Sequence, residues 1–156
     1  MQPNSVKQNL MAGGSSIGTF MFEFHSAGIA RAAASTGAEF AIFDMEHTGW
    51  SVETIRTLCA TSHGTDMLPL VRVPATEYHF IARTLDMGAQ GVMVPMVESV
   101  EQAEKIVKSA KYPPVGRRGS AFGIGHDDYT GGDVVEKMNS SNEHQLLIAQ
   151  IETTNG

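Results

Sequence analysis

The chain reads as an α/β protein built on a parallel sheet, and three observations predict this. Short apolar, β-rich runs alternate with helical segments about every 25 residues, the mark of repeated βα units. Several strand runs are apolar on both faces, as in Phe40-Ala41-Ile42-Phe43 and Leu146-Leu147-Ile148-Ala149, which suits strands covered on both sides. Polar residues gather just after these runs, at the edge where α/β folds place ligands. Five such units fit an open doubly wound sheet, or five-eighths of a (β/α)8 barrel that needs about 250 residues.

The elements follow in order. Ile17 to Phe24 is the first strand, introduced by Gly13-Gly14. An Ala-rich helix runs from Ser26 to Ser35, with Ser26 as its N-cap and Gly37 as its stop. Phe40 to Phe43 is the second strand and ends at Asp44. Ser51 caps a helix whose Ile55, Leu58 and Cys59 share one face. Met67 to Val73 is the third strand, and Tyr78 to Met87 the next helix, stopped by Gly88. Gly91 to Val94 is the fourth strand, closed by Pro95. Ser99 to Ala110 is amphipathic, with Val100, Ala103, Val107 and Ala110 as its expected buried stripe. A Gly- and Asp-rich loop spans 113–132, a helix opens at Asp133, and Leu146 to Ile151 is the fifth strand. Residues 1–156 are read as one domain.

Composition narrows the function. A hydrophobic fraction of 42%, with 18% charged residues, is that of a globular chain rather than a disordered one. A formal charge of −6 argues against a nucleic-acid partner or an anionic membrane surface. Arg117-Arg118 is the only doubled basic pair, too short for a basic patch and expected to be solvated. Cys59 is the single cysteine, so no internal disulfide can form, which fits a cytoplasmic location. Its helical spacing from Ile55 makes it a buried structural thiol rather than a nucleophile. Gly123-Ile124-Gly125 lies in a late loop with no third glycine in register, so a nucleotide site is not expected.

The residues at the strand ends carry the chemistry. Glu23 and His25 follow the first strand, and Asp44, Glu46 and His47 the second. Arg72 ends the third, inside an apolar run where a guanidinium needs an anionic partner. Gln150 and Glu152 end the fifth. Asp44 stands three residues before His47, close enough for a carboxylate to orient an imidazole; turn chemistry is the equal alternative for this pair. Gln150 and Glu152, at alternating positions of a buried strand, suggest a ligand site. His126-Asp127-Asp128 is expected to belong to a loop that covers substrate. No Lys falls at the end of a predicted strand, which disfavours Schiff-base chemistry.

Five ordered segments resemble a known family. They are Asp44-Met45-Glu46-His47, Val71-Arg72-Val73-Pro74, Val94-Pro95-Met96-Val97, Tyr112-Pro113-Pro114-Val115-Gly116-Arg117-Arg118-Gly119 and Gln150-Ile151-Glu152-Thr153. The chain is similar to class II, metal-dependent pyruvate aldolases of the 4-hydroxy-2-oxoheptane-1,7-dioate and 2-dehydro-3-deoxyglucarate aldolase type, in the HpcH/HpaI aldolase/citrate lyase superfamily. Met45 stands where the family has Gly. The resemblance implies a (β/α)8 TIM barrel, of which this chain supplies about the first five strands. It implies a divalent metal, Mg2+, Mn2+ or Co2+, that chelates the carboxylate and keto oxygen of pyruvate.

By the same resemblance, Glu152 would be one metal ligand, and the second, an Asp, would lie beyond Gly156. Arg72 would hold the keto oxygen, His47 with Asp44 would move protons, and Gln150 would sit by the pyruvate site. The implied reaction is reversible cleavage of a 4-hydroxy-2-oxo acid to pyruvate and an aldehyde. The implied assembly is a homo-oligomer, a hexamer or trimer of dimers. Read from the residues themselves, Arg117, Arg118 and His126 in the 113–132 loop could attract an acidic aldehyde, with two simply solvated arginines as the commoner alternative. The expectation is therefore of a polypeptide about 100 residues longer than this one. Two alternatives are a CoA-thioester lyase of the citramalyl- or malyl-CoA type, and a non-catalytic truncated barrel.

Overall fold

The structure is a computed structural model that describes residues 3–156. After an N-terminal helix α1 (Ser5–Met11) come β1 (Gly18–Met21), α2 (Ile29–Ser35), β2 (Phe40–Asp44) and α3 (Val52–Ser62). They are followed by β3 (Leu68–Arg72), α4 (Tyr78–Asp86), β4 (Gly91–Val94), α5 (Val100–Ala110), α6 (Val134–His144) and β5 (Leu146–Ala149). The five strands are parallel and lie in the order β1-β2-β3-β4-β5. That order decides between the two architectures the sequence allowed. A doubly wound sheet reverses its strand order partway and carries helices on both faces. Here every strand lies beside its neighbour in sequence, and one face alone packs on the helices, as in a barrel wall.

The alternation of side chains along the strands divides the two faces. Met21, Phe43, Val71, Val92 and Leu147 stand in register across all five strands and join one apolar core with α2, α3, α4 and α5. The opposite face carries Phe20, Ile42, Leu70 and Leu146 in one layer, with Gly91 between the last two. A Cβ at Gly91 would run into the Leu146 carbonyl and stand 3.0 Å from both Leu146 Cβ and Leu70 Cδ2. Glycine lets β4 and β5 close at this level. One step toward the strand C-termini, the same face carries Asp44, Arg72, Met93 and Ile148.

Three expectations are corrected. Helix α2 starts at Ile29, not Ser26: Gly28 occupies the N-cap, and the Ser26 carbonyl accepts a turn hydrogen bond from the Ile29 N–H at 3.0 Å. The first strand stops at Met21, because its partner β2 has only Phe43 and Asp44 left to offer beyond Ile42. On α5 the buried residues are Ile106, Ser109 and Ala110, whereas Val100 is 71% exposed. Ser109 satisfies its hydroxyl on the Lys105 carbonyl at 2.7 Å, so a small polar residue can occupy the helix face that valines were expected to fill. Cys59 is fully buried, and burial pushes its thiol up to about 12, as befits a core residue. Among the described residues, no helix is long and apolar enough to cross a membrane.

Candidate active site

The C-terminal ends of β2 and β3 meet at a buried ion pair. Asp44 is fully buried and takes Arg72 Nε on its Oδ1 at 2.5 Å. The same carboxylate accepts the backbone N–H groups of His47 on Oδ2 at 2.8 Å and of Glu46 on Oδ1 at 3.3 Å. Burial by itself would raise the Asp44 pKa, but Arg72 and the two backbone donors outweigh it and hold the carboxyl below its ordinary value. Thr48 returns its hydroxyl to the Asp44 carbonyl at 2.6 Å and closes the turn.

Arg72 is the centre of this rim. Its Nη1 stands 3.2 Å from Glu46 Oε2, and its guanidinium lies over the Phe20 and Phe22 rings at 4.9 and 5.6 Å. Those rings stack on each other at 5.3 Å. Two acids and an aromatic shelf thus fix the plane of one guanidinium. Sequence reading left Phe20, Phe22 and Glu46 without roles. The i, i+2 spacing of the two phenylalanines, which puts both on the Arg72 side of the sheet, is the signal that could have found them.

Asp44 orients the backbone of His47 and not its ring, which is the turn chemistry that stood as the equal alternative to an Asp–His pair. The Asp44 carboxylate receives Arg72 Nε and the N–H groups of Glu46 and His47, and its hydrogen bonds do not include the imidazole. The ring instead points outward, 65% exposed, with Nε2 3.7 Å from Glu46 Oε1. Across the rim, Glu152 is held from two sides: the Met96 N–H donates to Oε1 at 3.0 Å, and Gln150 Nε2 to Oε2 at 2.6 Å. Gln150 Oε1 is buried with no hydrogen-bond partner. Among the described residues, no three His, Cys, Asp or Glu side chains gather closely enough to grip a metal ion.

The 113–132 loop does not cover this rim. Its 3-10 turn, Gly125–Asp127, packs against α4, and Asp128 Oδ1 meets His63 Nδ1 at 2.8 Å just past the C-terminal end of α3. Those helix ends lie beside the starts of the strands, opposite the carboxylates. Arg118 is likewise not solvated: it is 2% exposed, pairs with Asp86 at 2.5 Å and lies 4.6 Å over Tyr112. Arg118 and His126 therefore anchor the lower rim and do not face an aldehyde at the upper one. A cleft of about 440 Å³, lined by His63, Gln90, His126 and Gln145 among others, is also on the lower side. In barrels that side serves stability.

The arginine–carboxylate cluster and the tethered glutamate lie on the C-terminal rim of a βα barrel wall, the face on which such barrels build their active sites. The chain belongs to the HpcH/HpaI aldolase/citrate lyase family, whose model matches residues 17–156. The hydroxypyruvate/pyruvate aldolase of Roseobacter denitrificans is 32% identical over 153 residues, which cover 98% of this chain and 59% of that protein. The 5-keto-4-deoxy-D-glucarate aldolase of Shigella sonnei is 33% identical over 120 residues, 77% of this chain and 46% of that one. The crystal structure of an HpcH/HpaI aldolase from Desulfitobacterium hafniense superposes with a TM-score of 0.91 at 33% identity, covering 96% of this chain and 57% of that one. The chain thus spans about half the length of the curated relatives it matches, and its fold is five strands of a (β/α)8 barrel.

Proposed function

We propose that this protein supplies the N-terminal part of a carbon–carbon lyase that cleaves a 4-hydroxy-2-oxo acid to pyruvate and an aldehyde. The observation that carries the reading is Arg72, locked by Asp44, Glu46 and the Phe20–Phe22 shelf on the same rim as Gln150 and Glu152. The names of the relatives, pyruvate and keto-deoxy-glucarate aldolases, point the same way.

Chemically, cleavage removes the proton from the C4 hydroxyl, breaks the C3–C4 bond and sends the electron pair toward the C2 oxygen. Protonation of C3 then yields pyruvate. A guanidinium fixed before substrate arrives stabilises the growing negative charge on that C2 oxygen without reorganising; Arg72 takes this role. His47, outward and accessible, carries the proton at Nε2. Gln150 lies beside the 2-oxo acid.

The donors suit a hard divalent cation. Glu152 offers carboxylate oxygens, and Gln150 a buried amide oxygen that is otherwise unpartnered. Asp44, Glu46 and Glu152 set three carboxylates against the one guanidinium of Arg72, a field that repels an anionic substrate until positive charge is added. When bound, Mg2+, Mn2+ or Co2+ would supply that charge and polarise the keto oxygen. Glu152 is one ligand in this reading, and a further carboxylate completes the grip. The family resemblance adds a homo-oligomeric assembly and a cytoplasmic location to the proposal.

The test is pyruvate release from a 4-hydroxy-2-oxo acid, followed by coupled reduction to lactate. EDTA should abolish it and Mn2+ or Mg2+ restore it. Full turnover in chelator would remove the metal from the proposal, and an Arg72→Ala protein with normal turnover would remove the enolate role.

A further inference from the structure

The junction of β4 and β5 departs from a regular parallel ladder by one residue. In such a ladder, a residue whose N–H bonds the carbonyl at one partner position receives on its own carbonyl the N–H two positions further on. The Gln150 N–H donates to the Val94 carbonyl at 2.9 Å, so its carbonyl should receive the N–H of Met96. It receives Val97 instead, at 3.2 Å. One residue is inserted at Pro95–Met96, which makes this a β-bulge.

Met96 sits there with φ +54°, in the left-handed region. A non-glycine residue adopts it only against the crowding of its Cβ on the following carbonyl oxygen. The other two non-glycine residues with positive φ among those described, Asp128 and Tyr129, lie in the lower-rim loop. The Met96 side chain is 49% exposed, so burial does not explain why methionine accepts this backbone. Released from the ladder, the Met96 N–H points at Glu152 Oε1, 3.0 Å away. Gln150, the residue the bulge steps around, holds Oε2 at 2.6 Å. Strain of this kind persists where the surroundings over-determine it, typically at functional sites.

We propose that the Pro95–Met96 bulge sets the Glu152 carboxylate: it diverts one backbone N–H from the sheet onto Oε1, while Gln150 fixes Oε2. Met96, through its backbone, and Gln150 are positioning residues for a carboxylate that is poised before any cation arrives. The inference rests on the reading of Glu152 as a metal ligand and adds the element that aims it.

Deleting Met96 restores the regular ladder and returns the diverted N–H to it. The deletion protein should bind Mn2+ at least tenfold more weakly than the wild chain in titration calorimetry, in line with the loss of an outer partner of a metal ligand. Met96→Ala keeps the backbone N–H and should stay within threefold of the wild chain. Equal Mn2+ affinity of the deletion and wild chains overturns the proposal. A second measurement needs neither the deletion nor the metal. Hydrogen exchange of the Met96 amide should be at least tenfold faster in Glu152→Ala than in the wild chain, and an unchanged rate overturns the proposal. A wild chain that binds no Mn2+ but shows Glu152-dependent protection of Met96 supports the bulge as the carboxylate's setting and counts against the metal reading alone.

Discussion

Replacing Asp44 by Asn tests the keystone of the rim. Asp44 has no exposed surface, and Arg72, at 7% exposure, has few other ways to satisfy its charge. Asn keeps the size and one acceptor oxygen but removes the negative charge from the 2.5 Å contact with Arg72 Nε. Its amide also turns a donor toward either the guanidinium or the backbone N–H groups of Glu46 and His47. Breaking one side of a buried pair costs roughly 3–5 kcal/mol. Glu46, 3.2 Å from Nη1, still neutralises part of the charge, so the lower end, about 3 kcal/mol, is expected. Urea unfolding followed by the fluorescence of Trp50, the single tryptophan, reads the loss as a lower midpoint at constant slope.

Asp44→Asn combined with Arg72→Met should recover about 2 kcal/mol relative to the sum of the single changes, because neither member of the Asp44–Arg72 pair is then left without the other. A loss under 1 kcal/mol for Asp44→Asn would refute the reasoning. The acid limb offers a separate check. The Asp44 carboxyl is held below its ordinary value in the folded state. Its contribution is therefore complete above the unfolded pKa of about 4 and fades as pH falls through the lower folded value. The wild chain should lose this increment in acid and Asp44→Asn should not.

The other predictions concern the scaffold. Lys111 is 8% exposed and donates to the Asn142 and Gln145 carbonyls at 2.5 and 3.3 Å. Burial, followed by the nearby charges of Lys7 and Arg118, lowers its pKa to about 8. Between there and the ordinary value near 10.5 the unfolded chain binds the proton more tightly, so stability should rise with pH across that window, by at most about 3 kcal/mol. Lys111→Met should flatten this slope in denaturant titrations at pH 7.5–10. Cys59 should resist iodoacetamide at pH 8 in the native state and react only on unfolding, since its thiol is buried and pushed up to about 12; rapid native labelling would contradict the packing. Gly91→Ala should lower stability by 2 kcal/mol or more, roughly the range of overpacked core changes, because its Cβ meets the Leu146 carbonyl.

What the sequence reveals of this molecule follows the reach of each signal. Strand–helix alternation is local, so the five strands were legible from runs such as Phe40-Ala41-Ile42-Phe43. The choice between barrel and doubly wound sheet depends on strand order, which periodicity does not encode and which the resemblance supplied. Arg72 was legible as an arginine needing an anion, because a charge in an apolar run is costly wherever it lies. Its partner was not: locally Asp44 offers either a pair with His47 or a turn, and only the register Asp44↔Arg72 brings its side chain to the guanidinium. Arg118 failed for the converse reason. In a Gly- and Pro-rich stretch it looked solvated, and nothing local shows that Asp86 and Tyr112 close around it. The α5 stripe failed in phase, since Ser109 counts as polar until its hydroxyl turns back onto Lys105.

The two rims therefore divide the work by the same physical means used to opposite ends. At the lower rim Arg118 and Asp86 stand one against one, and Lys137 meets Asp127 at 2.6 Å. Each of these pairs balances its own charges, which suits a structural seam. At the upper rim Arg72 faces Asp44 and Glu46, and Glu152 stands across from them with its carboxylate satisfied only by neutral donors. An excess of acid around one fixed guanidinium is unfavourable for folding and would be selected against at a purely structural site. In the proposed reading, an external cation would complete it. The imbalance of charge, more than the identity of any one residue, is what supports the proposal of an active site at the upper rim.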